Sequence, residues 1–136
     1  MTCSICPRHC GAARPGGFCG MPENPVVSRA APHFWEEPCI SGTDGRGSGA
    51  VFFAGCNLRC VFCQNYDISA LRQGTAITVE RLREIFTELA AQGVHNINLV
   101  TGSHYARVIA AALTPKPDLP VVWNCGGYGS VETLRM

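Results

Sequence analysis

The sequence has little charge and no long apolar run. Only 15% of its 136 residues are charged and the formal net charge is +1, so no basic surface indicates a nucleic acid partner. No apolar stretch approaches the roughly 20 residues that a membrane-spanning helix needs. The first residues, MTCSICPRHC, lack the apolar segment of a secretory signal. The sequence therefore predicts a cytoplasmic protein without a membrane or nucleic acid partner, long enough for one domain.

Cysteine, by contrast, is abundant, with nine residues in the chain. The number is odd, and most of the cysteines lie in two tight clusters. Cysteines separated by two or three residues in a reducing compartment are more often metal ligands than disulfide partners. Cys39 and Cys125 are isolated, and we expect them to be small packing residues.

The first cluster has the spacing Cys3-x2-Cys6-x3-Cys10-x8-Cys19. A closed tetrahedral site uses four ligands, so the cluster predicts a second metal site that holds zinc or an iron–sulfur cluster, with His9 as a substitute ligand. Such a site would also order a segment that has little core of its own. The alternative is four free thiols in a flexible tail.

The character of the chain changes near residue 50. Residues 1–49 are rich in proline and glycine and show little periodicity, which predicts an irregular, cysteine-rich N-terminal segment. From residue 50 onward, strand patterns alternate with helical ones, which favours an α/β fold with parallel strands and right-handed crossovers. The predicted strands are 50–55, 94–101 and 119–125, and the predicted helices are 79–92, 103–114 and the short stretch after Ser130.

The helix at 79–92 has the clearest local signals. Its apolar residues recur on one face, Thr78 is a suitable N-cap, and Gly93 suits the position after the last turn. Each predicted strand is followed by a polar or glycine-containing loop. Because ligands of parallel sheets bind beyond the carboxyl ends of the strands, we expect these loops to share one rim.

The second cysteine cluster, GCNLRCVFCQN, has the spacing Cys56-x3-Cys60-x2-Cys63. A structural zinc site uses four ligands, but this loop offers three. A cubane of four irons held by three thiolates keeps one iron open for a further ligand. The alternative is a structural zinc or cluster site that takes its missing ligand from elsewhere in the chain.

This motif, with Phe62 before its last cysteine, resembles the signature of the radical SAM superfamily, especially its activating-enzyme branch. The segments CSICPRHCG, HFWEEPCISGT and HNINLVTGSHY extend the resemblance over essentially the whole chain. The chain is similar to uncharacterised proteins that resemble pyruvate formate-lyase activating enzyme. The resemblance implies an incomplete (β/α) radical SAM partial barrel. Residues 50–136 would supply about three βα units, the N-terminal half of a core that has about six, so we expect a truncated chain or a fragment.

The resemblance also implies a role for each residue of the motif. Cys56, Cys60 and Cys63 would hold a [4Fe–4S] cluster whose fourth iron binds S-adenosylmethionine, and Phe62 would help to place the adenine. Reductive cleavage would yield a 5′-deoxyadenosyl radical that abstracts a hydrogen atom. Asn57 and Arg59 would tune the cluster.

The remaining contacts to S-adenosylmethionine are expected after the second and third strands. Many family members have a Gly-Gly-Glu segment where this chain has Thr101-Gly102-Ser103-His104, so Gly102, Ser103 and His104 are the candidates there. Asn98 and Asn124 are further candidates. The alternatives are that the asparagines bond to neighbouring backbone groups and that His104 is an ordinary residue at a helix start.

The resemblance implies two protein partners. One is a glycyl-radical enzyme that would lose a backbone glycine hydrogen, and the other is an electron donor such as flavodoxin or ferredoxin. Two alternatives stay open: a metal-stabilised binding module or inactive fragment without catalysis, and a radical SAM enzyme that acts on a small molecule.

Overall fold

The computed structural model describes residues 2–136. Its strands are β1 (Val26–His33), β2 (Ser48–Phe53), β3 (Thr75–Ala76), β4 (Ile97–Val100) and β5 (Val121–Asn124). Its helices are α1 (Pro38–Ser41), α2 (Tyr66–Ser69), α3 (Val79–Ala91), α4 (Ala106–Ala112) and α5 (Val131–Leu134), and a 3-10 turn at Ser103–Tyr105 precedes α4. Within the described residues the strands form one five-stranded sheet in the order β3-β1-β2-β4-β5. None of the helices in this range is long and apolar enough to cross a membrane.

The predicted parallel core is confirmed. Strands β2, β4 and β5 run parallel, and helices lie between them in the chain, as the alternating pattern indicates. Helix α3 begins and ends within one residue of its predicted bounds. Thr78 Oγ1 accepts a hydrogen bond from Arg81 N at 3.1 Å, and Gly93 has φ +78° after the last turn.

The prediction of an irregular segment over 1–49 is wrong for β1. This strand pairs antiparallel with β2 over most of its length and with β3 at Val26 and Val27. A register shift between Val27 and Arg29 interrupts the alternation that normally reveals a strand. Pro32 is tolerated because β3 pairs only with the start of β1, so the second half of β1 lies at the sheet edge.

One face of the sheet packs against α3 and α4. The apolar stripe of α3 is buried on the side chains of the parallel strands that point toward it. Burial of this surface is the main stabilising term of the fold. The shared core consists of Leu82, Ile85, Phe86 and Leu89 from α3, Val51 and Phe53 from β2, Ile97 and Leu99 from β4, and Ile109 from α4.

The opposite face of the sheet carries polar side chains. Asn98 and Val100 of β4 alternate with the core residues, and Phe52 and Asn124 stand beside Val100 in the neighbouring strands. The segment 34–47, between β1 and β2, crosses part of this face, because Asn98 Nδ2 donates to Glu36 Oε2 at 3.0 Å. The rest of the face opens into a cleft.

Candidate functional site

A cleft of about 760 Å³ lies at the carboxyl ends of the three parallel strands. The strand ends, the cysteine loop and the segment after β1 all contribute to its wall, as expected for a ligand site of a parallel sheet. Its volume lies in the range of small-molecule sites. The lining residues are His33, Glu36, Phe52, Cys60, Phe62, Cys63, Gln64, Asn65, Val100, Thr101, Asn124, Cys125 and Gly126.

The cysteine loop, residues 55–65, starts at a glycine that no other residue can replace without strain. Gly55 has φ +79°, and a Cβ placed there would lie 2.3 Å from Met21 Cγ. Its N–H donates to Ile68 O at 2.9 Å, which ties the loop to α2. Arg59 also has a positive φ, +55°, so the chain turns back between the first and second cysteines.

Two of the three cysteine sulfurs of this loop accept hydrogen bonds. Leu58 N donates to Cys56 Sγ at 3.3 Å, and Ser69 Oγ donates to Cys63 Sγ at 3.4 Å. All three cysteines are free thiols of intermediate exposure. Hydrogen bonds to sulfur are among the features that set the reduction potential of an iron–sulfur cluster. The loop therefore offers partly accessible thiols with defined polar neighbours.

The donor set fits a cubane better than a single ion. In residues 2–136 no three His, Cys, Asp or Glu side chains converge on a point where they could hold one metal ion. A closed zinc site needs that convergence. In a [4Fe–4S] cluster each thiolate binds a different iron, so the sulfurs do not have to meet at one point. Cys56, Cys60 and Cys63 would hold such a cluster at the wall of the cleft.

Comparison with known proteins decides the family. A family model described as the radical SAM superfamily matches residues 50–131, a stretch that contains the cysteine loop, most of β2, all of β4 and β5, and helices α3 and α4. The chain belongs to the radical SAM superfamily. The match confirms the superfamily predicted from the cysteine motif. Members of this family generally bind a [4Fe–4S] cluster and S-adenosylmethionine.

Among curated proteins, an uncharacterized protein of Methanocaldococcus jannaschii is 30% identical over 146 aligned positions, which cover 99% of this chain and 41% of the relative. The chain thus spans about two fifths of the length of this relative. No solved structure matches the chain significantly. The small α/β structure with its mixed sheet is consistent with part of a radical SAM fold.

The structure brings two of the predicted S-adenosylmethionine contacts to the cleft. Phe62 lines it and is 86% exposed, so its ring is free to stack on a ligand. Asn124 lines it from the end of β5. Asn98 lies on the same sheet face but is fully buried, and its amide nitrogen is occupied by Glu36. Asn98 thus bonds to a side chain, where the sequence-based alternative expected a backbone group.

The predicted contacts at Gly102, Ser103 and His104 do not line the cleft. All three are buried, and Thr101 is the residue of this loop that reaches the cleft wall. A Cβ on Gly102 would lie 2.5 Å from Ile109 Cδ1, so this glycine serves the packing of α4 against the loop. A ligand contact from these side chains would need a different loop conformation, and their role as contacts stays a prediction.

His104 has a structural position instead. Its ring is 1% exposed, and Nε2–H donates to Ala54 O at 2.8 Å, one residue before the cysteine loop begins. Burial of the ring, together with the nearby Arg14 guanidinium, lowers the pKa of His104 to about 4. The side chain is therefore a neutral imidazole at neutral pH and holds the carboxyl end of β2 in place.

Asn57 connects the cysteine loop to the loop after β5. Asn57 is 2% exposed, and its side-chain Nδ2 donates to Tyr128 O at 2.8 Å. Its main-chain carbonyl oxygen accepts from Arg8 Nε at 2.8 Å. The approach of the two loops is close, since a Cβ on Gly126 would lie 2.4 Å from Leu58 Cδ1. The loop after β5 is thereby fixed beside the cysteine loop.

The N-terminal cysteines occupy separate surroundings. Cys6 is buried with Ile5 and Ala106, Cys19 packs against the main core, and Cys10 is exposed and accepts a hydrogen bond from Phe18 N at 3.3 Å. Cys3 packs beside Cys6. Their use as a second metal site stays a prediction.

Sequence reasoning missed two residues that line the cleft, His33 at the end of β1 and Glu36 in the segment that follows it. Both lie in HFWEEP, where no periodicity or ligand spacing marks them. Cys125 also lines the cleft, so the expectation that it is only a packing residue is incomplete. A prediction of strand β1 would have placed His33 and Glu36 at the cleft, but the irregular sequence pattern of β1 does not indicate a strand.

Proposed function

We propose that this chain is the cluster-binding part of a radical SAM enzyme that uses a [4Fe–4S] cluster and S-adenosylmethionine to abstract a hydrogen atom from its substrate. The proposal rests on the three-cysteine loop at the wall of a cleft in a chain of the radical SAM superfamily. Held by Cys56, Cys60 and Cys63, a reduced cluster would supply the single electron for cleavage of the sulfonium C–S bond, which would give methionine and a 5′-deoxyadenosyl radical.

The chain's own residues bind and orient. Cys56, Cys60 and Cys63 would anchor the cluster, with Leu58 N–H and Ser69 Oγ–H directed at two of the sulfurs. Phe62 and Asn124, which both line the cleft, would contact S-adenosylmethionine through stacking and hydrogen bonding respectively. The apolar Phe52 and Val100 in the cleft floor would keep water away from the radical.

The finer proposal is an activity like that of pyruvate formate-lyase activating enzyme, with a backbone glycine of a partner protein as the hydrogen donor. It is supported by the sequence of the cysteine loop and its flanking segments, which resemble that branch of the superfamily. A flavodoxin or ferredoxin is the proposed electron donor, because the cleavage needs one low-potential electron. A cytoplasmic location is also proposed, since the cluster and nine free thiols require a reducing environment.

Anaerobic reconstitution with iron and sulfide tests the core of this proposal. We expect the wild-type chain to gain a cubane of about four irons, to show a changed electron paramagnetic resonance spectrum when S-adenosylmethionine is added, and to release 5′-deoxyadenosine on reduction with dithionite. The variants Cys56→Ala, Cys60→Ala and Cys63→Ala should lose the cubane, whereas Cys39→Ser, at an exposed isolated cysteine, should keep it. A wild-type chain that takes up zinc and leaves S-adenosylmethionine intact would refute the proposal and favour a binding module.

The same variants test the N-terminal cysteines. We propose a second metal, zinc or an iron–sulfur cluster, at Cys3, Cys6, Cys10 and Cys19, supported by their number and spacing. Because these sulfurs do not converge among the described residues, the metal would have to draw them together on binding. Metal analysis of Cys60→Ala isolates this site, because its main cluster is gone. One metal centre should remain in this variant and disappear in Cys60→Ala/Cys10→Ala. A metal-free Cys60→Ala protein would show that the N-terminal cysteines bind nothing.

A further inference from the structure

The floor of the cleft carries one carboxylate, that of Glu36, and the roles proposed above for the cysteines, Phe62 and Asn124 do not use it. Glu36 comes from the segment after β1 and reaches over the polar face of the sheet. Its Oε2 accepts from Asn98 Nδ2 at 3.0 Å and from Ser48 Oγ at 3.2 Å, and His33 Nδ1 lies 3.4 Å from Oε1. The side chain is held in place on one side and is 18% exposed on the other.

The charge of Glu36 has no permanent cation beside it. No Lys or Arg lines the cleft, and His33 is the ion-pair partner of Glu36 among residues 2–136. A carboxylate removed from water is stabilised by hydrogen bonds and by a cation, and its two oxygens have about four acceptor positions, of which the hydrogen bonds from Asn98 and Ser48 use two here. The buried amide oxygen of Asn98, beside it, also has no donor among the described residues. The site therefore has unused acceptor capacity, and the carboxylate has a histidine, and no Lys or Arg, as its basic neighbour in the cleft.

We infer that Glu36 recognises a cationic nitrogen of the substrate, an ammonium or guanidinium group, and so determines which substrate the cleft accepts. This inference rests on the proposed function, because it assumes that the substrate shares the cleft with the cluster-bound site. Glu36 faces the same cavity as Cys60 and Cys63, so a group bound to it would hold the rest of the substrate near the radical. Asn98 and Ser48 are the positioning residues that aim the carboxylate.

Binding of n-butylammonium, compared with n-butanol of the same length, tests the inference. Line broadening of the ligand methyl protons reports binding to the reconstituted chain. We expect butylammonium to bind at least about tenfold more tightly than butanol, a difference of about 1.4 kcal/mol, since hydrogen bonds between charged groups are stronger than neutral ones. The Glu36→Gln variant should lose the preference, because it keeps the size and most hydrogen bonds of the side chain but removes the charge. The exposed Glu84→Gln is the control and should keep the wild-type preference.

Two outcomes would overturn the inference: equal binding of butanol and butylammonium to the wild type, or an unchanged preference in Glu36→Gln. Both results are expected if Glu36 only stabilises the fold and does not contact the substrate. If Glu36→Gln does not fold, binding of the three ligands butylammonium, butanol and sodium butyrate to the wild type tests the inference. An anionic cleft floor should bind sodium butyrate more weakly than butanol. Formation of 5′-deoxyadenosine is measured separately on the same samples. Its absence refutes the proposed radical chemistry, while the ammonium preference alone decides the role of Glu36.

A free amine and a lysine side chain present the same ammonium group. The peptide acetyl-Gly-Lys-Gly-amide therefore serves as a second probe, with acetyl-Gly-norleucine-Gly-amide as its neutral match. A Glu36-dependent preference for the lysine peptide that exceeds the one for butylammonium points to a protein substrate. A preference restricted to butylammonium points to a small molecule.

Discussion

At the scale of single residues, Gly55 shows how backbone geometry positions the cysteines. Its left-handed φ turns the chain out of β2 directly before Cys56, and the space where a side chain would lie is filled by Met21. The N-terminal segment thus contacts the cysteine loop through packing. A substitution at this glycine acts on the loop without touching any sulfur.

We predict that Gly55→Ala abolishes or strongly reduces cluster assembly. Alanine at this φ is strained by roughly 1–2 kcal/mol, and its Cβ would collide with Met21 Cγ at 2.3 Å, so the loop must shift. Iron content after anaerobic reconstitution measures the effect. Gly45→Ala is the matched control, since Gly45 has a similar φ of +78° but nothing within 4 Å of its Cβ position. Equal iron content in the two variants would contradict the prediction.

The neutral imidazole of His104 gives the fold a pH dependence. Because burial lowers its pKa to about 4, against about 6.5 in an unfolded chain, the unfolded state binds more protons between these values. The contribution of His104 to stability is complete above pH 6.5 and is lost as the pH falls toward 4. The loss amounts to about 3 kcal/mol over this window.

Urea denaturation of the metal-free, reduced chain between pH 4.5 and 7 measures this dependence. The wild type should lose unfolding free energy steadily toward acid. His104→Gln should show a flatter profile, because glutamine can still donate to Ala54 O but does not titrate. Identical slopes for the two proteins would show that another group carries the acid sensitivity.

At the scale of elements, the structure separates what local pattern can predict from what it cannot. Helix α3 was predictable because its apolar stripe, N-cap and terminal glycine all indicate the same element. Strand β1 was not, because a bulge and Pro32 disrupt its pattern and its partners in β2 are 15 to 26 residues away. The predicted strand 94–101 is longer than the observed β4, which begins at Ile97. Asn96, directly before it, lies outside the strand, and its side-chain amide donates to Ile40 O in the segment 34–47.

The N-cap of α3 gives a prediction at this scale. Thr78→Ala should lower the unfolding free energy by about 1 kcal/mol, because the Arg81 N–H loses its acceptor. Thr87→Ala is the control within the same helix. Thr87 Oγ1 bonds back to Arg83 O in the helix interior, where alanine has the higher helix propensity, so this variant should be neutral or slightly more stable. Thermal or urea unfolding of both variants decides, and a larger loss for Thr87→Ala would contradict the cap assignment.

At the scale of the whole molecule, three loops after parallel strands and one segment after an antiparallel strand meet at a single cleft. The first three follow from the alternation of strands and helices, so Cys60, Cys63 and Asn124 could be placed at a common rim from the sequence. Glu36 could not, because its position depends on the path of the segment 34–47 across the sheet. The buried position of His104 was likewise set by packing, since polar character alone indicates a ligand contact as readily as a core hydrogen bond.

Arg14 is one of the residues that attach the N-terminal residues 2–21 to the rest of the molecule. Its Nη1 donates to His104 O at 3.0 Å and its guanidinium lies 4.8 Å from the centre of the Tyr105 ring, while its Nε donates within the segment, to Met21 O at 3.0 Å. Charged hydrogen bonds and a cation–π contact of this kind together contribute about 2–4 kcal/mol. Removing the side chain should therefore release residues 2–21 from the core.

We predict that Arg14→Ala increases amide hydrogen exchange in residues 2–21 at least about tenfold, which corresponds to a loss of about 1.4 kcal/mol in local opening free energy, and leaves α3 protected. Arg46→Ala is the control, because Arg46 forms an exposed pair with Asp44 that contributes little.

Since Met21 packs against Gly55, the released segment should also weaken cluster retention, measured as iron lost during anaerobic dialysis. Unchanged exchange in residues 2–21 would mean that the remaining contacts, among them Arg8 with Asn57 O, hold the segment without Arg14. Faster exchange with full iron retention would instead show that the cysteine loop keeps its shape independently of the N-terminal segment.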